Sequence, residues 1–79
     1  MRLPTFAQTN LQLYAQMKDL NFQEEALILV HEAYLFAARL TCGVLRGSGK
    51  PFVCHLVGTA SILAAAGEDE ACIAAGLLH

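Results

Sequence analysis

Apolar residues recur along this chain at helical spacing, and four segments carry the pattern. The first runs from about Asn10 to Leu20, with Leu13, Tyr14, Met17 and Leu20 on one face and Asn10 as the expected cap. The second is the clearest. Asn21 followed by Glu24 reads as a capping box, with Phe22 starting the run. At 100° per residue Ala26, Leu29, Val30, Ala33, Tyr34, Phe36, Ala37 and Leu40 share a face, and Glu25, Glu32 and Arg39 share another. Gly43 is the expected C-terminal cap. A loop from Val44 to Lys50 follows, with Gly47 and Gly49, and Pro51 suits the first turn of the next helix.

The third segment, Phe52 to Ala66, ends at Gly67 and is apolar nearly all round, so it expects neighbours on every side. The fourth starts near Asp69, whose carboxylate can cap it, and continues through Ile73, Leu77 and Leu78 to His79 with no stop signal. Clear β alternation and hairpin turn pairs are absent. The expectation is an all-α bundle of about four helices that continues beyond His79. Its first 20 residues form an N-terminal helical extension and residues 21–79 the opening of the main domain.

Composition sharpens this. Hydrophobic residues make up 56% of the 79 positions and charged ones 15%, which is apolar for so small a free-standing domain. The balance suits a piece of a larger core or a subunit of a homo-oligomer. The net charge of −2, with five Lys and Arg spread along the chain, provides no basic face for a nucleic-acid polymer. A small phosphorylated ligand needs only one or two cations. Three cysteines, Cys42, Cys54 and Cys72, without a C-x-x-C pair, read as half-buried thiols in a reducing compartment rather than a disulfide framework or zinc knuckle. No apolar run reaches the ~18 residues that a membrane helix needs, and no signal peptide follows Met1. A soluble cytoplasmic chain is expected.

Chemistry can reside in three histidines and one loop. His55 lies one turn into the third segment, with Phe52, Gly58, Thr59 and Ile62 on its side, and Gly58 is expected to leave space beside the imidazole. A histidine on an apolar face is more often a core residue than a ligand. His55 and His79 on two packed helices, however, could converge on one cation, which typically takes three or four such ligands. His31, away from the main face of its helix, reads as a surface or contact residue.

Several stretches together resemble the opening of the hydrolase domain of the RelA/SpoT enzymes, an HD-type metal-dependent phosphohydrolase. They are Ala33–Ala37, then Gly43, then Arg46-Gly47-Ser48-Gly49-Lys50-Pro51-Phe52-Val53-Cys54-His55, then Ala60-Ser61-Ile62-Leu63, and Asp69 to His79. The resemblance covers about residues 26–79. It implies an HD-domain-like fold and a divalent metal, commonly Mn2+, that activates water for attack on the 3′-pyrophosphate of a guanosine tetra- or pentaphosphate. His55 matches the first metal ligand and His79 the histidine of the His-Asp pair, whose aspartate is expected beyond His79. Arg46 matches a basic position that packs on guanine. Ser48 could donate to a phosphate or ribose, and Lys50 could replace the family's second basic residue, which here is Gly47. Thr41-Cys42-Gly43-Val44 stands where the family has H-x-G-Q, and Leu56 where it has Pro. These departures leave two alternatives, a degenerate HD domain that binds nucleotide without turnover and a plain helical interaction module. The 79 residues alone are expected to bind metal weakly or not at all and to be inactive.

Overall fold

A computed structural model describes residues 6–47 and 49–78 of the chain. Four helices follow one another: α1 (Asn10–Asp19), α2 (Glu24–Leu40), α3 (Phe52–Ala65) and α4 (Glu70–Leu77). The all-α expectation holds. Among the described residues the β pairing is a single antiparallel bridge, Leu45 to Pro51.

The helix ends show why each begins and stops where it does. At the start of α1 the cap is Thr9, not Asn10. Its side chain accepts from the Gln12 amide, and the Gln12 carboxamide oxygen accepts in return from the amides of Gln8 and Thr9, at 2.9 and 3.3 Å. This is a reciprocal capping box, which satisfies amides that the helix itself leaves unpaired. Asn21 does not cap α2. It sits at φ 68°, in the left-handed region, where it closes α1 instead. Its amide donates to the Lys18 carbonyl, and the Phe22 amide donates to that of Met17. That crossed pair of bonds is the Schellman arrangement, and asparagine tolerates the conformation better than most side chains. The same bonds close α3, from Gly67 to Ala64 and from Glu68 to Leu63.

No side chain caps α2, whose N-cap is Gln23; Glu24 and Glu25 in its first turn favour the positive end of the dipole. At its far end Thr41 is the C-cap and Gly43 takes its positive φ of 80° in the turn that follows. Asp69 caps α4 as expected, accepting from the Cys72 amide at 2.9 Å.

Leu13 and Met17 of α1, Val30 of α2, Val57 and Ala60 of α3, and Ile73 and Leu77 of α4 are essentially inaccessible and form one core. α4 lies against both α2 and α3, and α1 is laid mainly on α3. Small residues permit the closest approach. A Cβ added at Gly76 of α4 would meet a methyl carbon of Leu63 at 2.7 Å. Burial on α2 is narrower than the sequence predicts. Ala26, Val30, Ala33 and Ala37 are buried, whereas Leu29, Phe36 and Leu40 are exposed by 42, 56 and 67%. The reason is geometric: α1, α3 and α4 all approach α2 from the alanine side. α3 is likewise not enclosed all round, and Ile62 is 51% exposed.

Candidate functional site

The loop between α2 and α3 is a tight turn held by backbone hydrogen bonds. The Arg46 amide donates to the Lys50 carbonyl at 2.9 Å, the Gly49 amide to the Arg46 carbonyl at 2.8 Å, and the Phe52 amide to the Val44 carbonyl at 2.9 Å. Gly49 adopts φ 86°, a conformation that costs an L side chain about 1–2 kcal/mol. The turn folds the chain back, so Arg46, nine positions earlier, stands over the first turns of α3.

There Arg46 meets His55. The guanidinium Nη1 lies 3.1 Å from the imidazole Nδ1. A guanidinium can only donate, so in this contact Nδ1 is the acceptor, which fits the tautomer with the proton on Nε2. Ligation of a cation through either ring nitrogen therefore requires Arg46 to release the imidazole, because Nδ1 is engaged and Nε2 has no lone pair in this tautomer. The Phe52 ring flanks the histidine, with centroids 5.6 Å apart. The Thr59 hydroxyl donates to the His55 carbonyl.

His55 itself is exposed, unlike the interior of the helix that carries it. Gly58 does not open space beside the imidazole; a Cβ there would meet the Ala7 carbonyl oxygen at 3.9 Å, so its room faces the N-terminal segment. Lys50 is exposed in the same turn. The nucleotide candidate Arg46 and the metal candidate His55 are thus brought together with Lys50 close in the loop. Ser48 and His79 lie outside the described residues. α3 begins with no side-chain cap and no acidic residue in its first turn, a favourable surrounding for an anion.

Among the described residues no three His, Cys, Asp or Glu side chains cluster closely enough to hold a metal ion. A cation of this kind takes three or four ligands, more than the described residues bring together at His55. The thiols are free: Cys42 is exposed rather than half-buried, and Cys54 and Cys72 are half-buried. Burial, reinforced by the nearby Glu68 and Asp69 carboxylates, pushes the Cys72 thiol pKa up, which favours the unreactive protonated form.

The relatives that match are enzymes named for guanine nucleotides. A GTP pyrophosphokinase of Myxococcus xanthus is 42% identical over 53 residues, 67% of this chain and 7% of that protein. A putative chloroplastic GTP diphosphokinase of Oryza sativa subsp. japonica is 44% identical over 66 residues, 84% of this chain and 7% of its own length. A probable guanosine-3′,5′-bis(diphosphate) 3′-pyrophosphohydrolase of Synechocystis sp. is 45% identical over 51 residues, 65% of this chain and 7% of that protein. The chain therefore corresponds to a short segment, about 7%, of each of these three proteins. No family model and no solved structure matches it.

Two polar features escaped the sequence reading. Ser61 is completely buried in α3. Its hydroxyl accepts from the Ala7 amide at 2.9 Å and donates to the Gln16 carboxamide oxygen at 2.5 Å, while the Gln16 Nε2 donates to the Ser61 carbonyl at 3.0 Å. One side chain thus ties the N-terminal segment and α1 to α3. Its signal was present, since Ser61 falls in register with Val57, Ala60 and Ala64 on the buried face. The second is the contact that His31 makes with Tyr14; His31 itself is exposed, as expected. Its Nδ1 lies 2.6 Å from the Tyr14 hydroxyl, and the rings meet edge to face. Burial raises the Tyr14 pKa, the hydrogen bond from Asn10 lowers it, and Tyr34 raises it; the net shift is upward.

No helix among the described residues is long and apolar enough to cross a membrane.

Proposed function

We propose that this chain is the N-terminal helical part of an HD-type phosphohydrolase domain of the RelA/SpoT kind, whose substrate is a guanosine nucleotide carrying a 3′-pyrophosphate. The observation that carries the reading is the meeting of Arg46 and His55 at 3.1 Å. Two residues that the resemblance assigns to different roles, one to the nucleotide and one to the metal, share a single exposed corner. The resemblance to the Synechocystis pyrophosphohydrolase supports the choice of reaction. In this reading Arg46 stacks on the guanine or pairs with phosphate through its planar fork, Lys50 adds a charge beside the uncapped start of α3, and Ser48 is the candidate donor. His55 and His79 supply two ligands to a divalent cation, Mn2+, and further ligands come from residues outside this chain. When bound, such a cation supplies an activated water at neutral pH. The domain proper comprises residues 21–79, and residues 1–20 form its N-terminal extension.

A second reading rests on Gly47 and on Thr41-Cys42-Gly43-Val44, where the resemblance predicts a basic residue and H-x-G-Q. In that reading the segment retains nucleotide binding and has lost turnover.

The test is NMR of the chain with guanosine tetraphosphate and, separately, with Mn2+. Shifts confined to residues 44–55 and removed by Arg46→Ala support the nucleotide site; shifts elsewhere or none overturn it. Selective Mn2+ broadening of His55 and His79 supports the ligand pair, and broadening centred on the surface carboxylates overturns it. Release of pyrophosphate from guanosine tetraphosphate by a polypeptide that carries this segment together with the ligands that follow it separates enzyme from binding module.

A further inference from the structure

Between Leu40 and Gly67 the chain carries no Asp or Glu, and its charged side chains there are Arg46 and Lys50. Arg46 thus has no carboxylate in its own stretch and rests on a neutral acceptor, His55 Nδ1, at 3.1 Å. Both side chains are exposed, but their backbones are held. The Arg46 amide donates to the Lys50 carbonyl and its carbonyl accepts from the Gly49 amide, while His55 belongs to α3 and its ring lies beside Phe52. The guanidinium can therefore leave the imidazole by side-chain rotation alone, with turn and helix unmoved.

We propose that this contact is a latch that a phosphate anion opens, switching the neutral His55 ring from its Nε2–H to its Nδ1–H tautomer. The latch presupposes the nucleotide site proposed above and adds regulation to it. A hydrogen bond between two full charges is stronger than one to a neutral imidazole, and a phosphate engages the planar fork of the guanidinium through two donors at once. An anion held by Arg46 therefore draws the guanidinium away from Nδ1. The Nδ1 lone pair is then left facing phosphate oxygens, which is unfavourable. Placing the ring proton on Nδ1 turns that nitrogen into a donor toward the anion. One proton leaves Nε2 to water and one returns from water to Nδ1, so the ring stays neutral and no net proton is bound. Nε2 acquires the lone pair that ligation of a cation needs. The same imidazole is closed to a cation while Arg46 holds it and open once phosphate has bound. By linkage, a cation at Nε2 favours phosphate at Arg46 in equal measure.

The test is 15N NMR of the His55 ring in the 79-residue chain, at a pH where the ring is neutral, with inorganic pyrophosphate added. The two ring nitrogen shifts should be well separated in the free chain. They should converge and exchange order as the guanidinium resonances of Arg46 reach saturation. In Arg46→Ala, with core resonances unmoved as a check on the fold, pyrophosphate should leave the ring shifts where they are. A response of the ring in that variant means that the anion acts on His55 without Arg46, and overturns the latch. If the Arg46 resonances respond in the native chain while the His55 ring keeps its free-state shifts, the guanidinium serves both partners at once; the latch is overturned and the nucleotide site stands. If neither residue responds up to millimolar pyrophosphate, the latch and the nucleotide site are both overturned.

Discussion

The first turns of α3 and its middle belong to one helix and are held by different means. In the middle, Val57, Ala60 and Ser61 are closed off from water and packed against α1 and α4. Ser61 adds hydrogen bonds that tie in two more segments. At the start, His55 is open to solvent. What is fixed there is fixed by backbone bonds of the 44–52 turn, by the contact of Arg46 with His55 and by the Phe52 ring beside the imidazole. The middle is held by packing that encloses it together with the other helices. The start has few contacts, and each can be removed without disturbing the rest. A site that must admit a ligand and rearrange around it suits the second kind of construction.

The strongest way to break the contrast is in the core. Leu77 of α4 is fully buried against the helices that surround it. Leu77→Ala should cost about 2–5 kcal/mol. A domain of this size can have as little as ~4 kcal/mol in total, so the variant should be largely unfolded in a urea or thermal melt. A loss below about 1 kcal/mol would mean that α4 is not part of the core.

Ser61→Ala should cost about 1–3 kcal/mol, because it strands the Ala7 amide and a carboxamide oxygen of Gln16 in buried surroundings. Amide exchange at Ala7 should accelerate, which distinguishes loss of this tether from general loosening. Gly49→Ala is smaller. Nothing obstructs the added Cβ, so the cost is that of the left-handed backbone alone, about 1–2 kcal/mol. It should appear as chemical-shift changes confined to residues 44–55, with the core resonances unmoved.

The difference between the two regions is also a difference in what a sequence can disclose. Helix count and most of the core were legible, because Leu13, Met17, Val30, Ile73 and Leu77 follow the 3.6-residue period and burial enforces it. Asn21 misled, because the same side chain that caps a helix start also tolerates the left-handed residue after a helix end; only the crossed bonds to Met17 and Lys18 decide between them. Leu29, Phe36 and Leu40 misled because hydrophobicity states that a residue prefers cover, not which neighbour arrives. The pairing of Arg46 with His55 was not legible at all. It depends on the turn bringing residues nine apart together, and spacing alone does not specify a loop path. The resemblance marked both residues without predicting that they touch.

That pair gives the smallest effect on stability and the most specific readout. Arg46→Ala removes an exposed guanidinium and should change the unfolding free energy by less than about 0.5 kcal/mol. The imidazole of His55 should nonetheless respond. With Arg46 present, Nδ1 accepts and the proton resides on Nε2; without it, nothing holds that tautomer, and the ring should populate both. The 15N chemical shifts of the two ring nitrogens, measured at a pH where the ring is neutral, report this directly, moving from well-separated values toward each other. If they do not move while the fold is intact, the Arg46 contact does not set the tautomer of His55. Arg46 would then be no obstacle to a cation at that imidazole, and the corner would be two independent side chains rather than one coupled site.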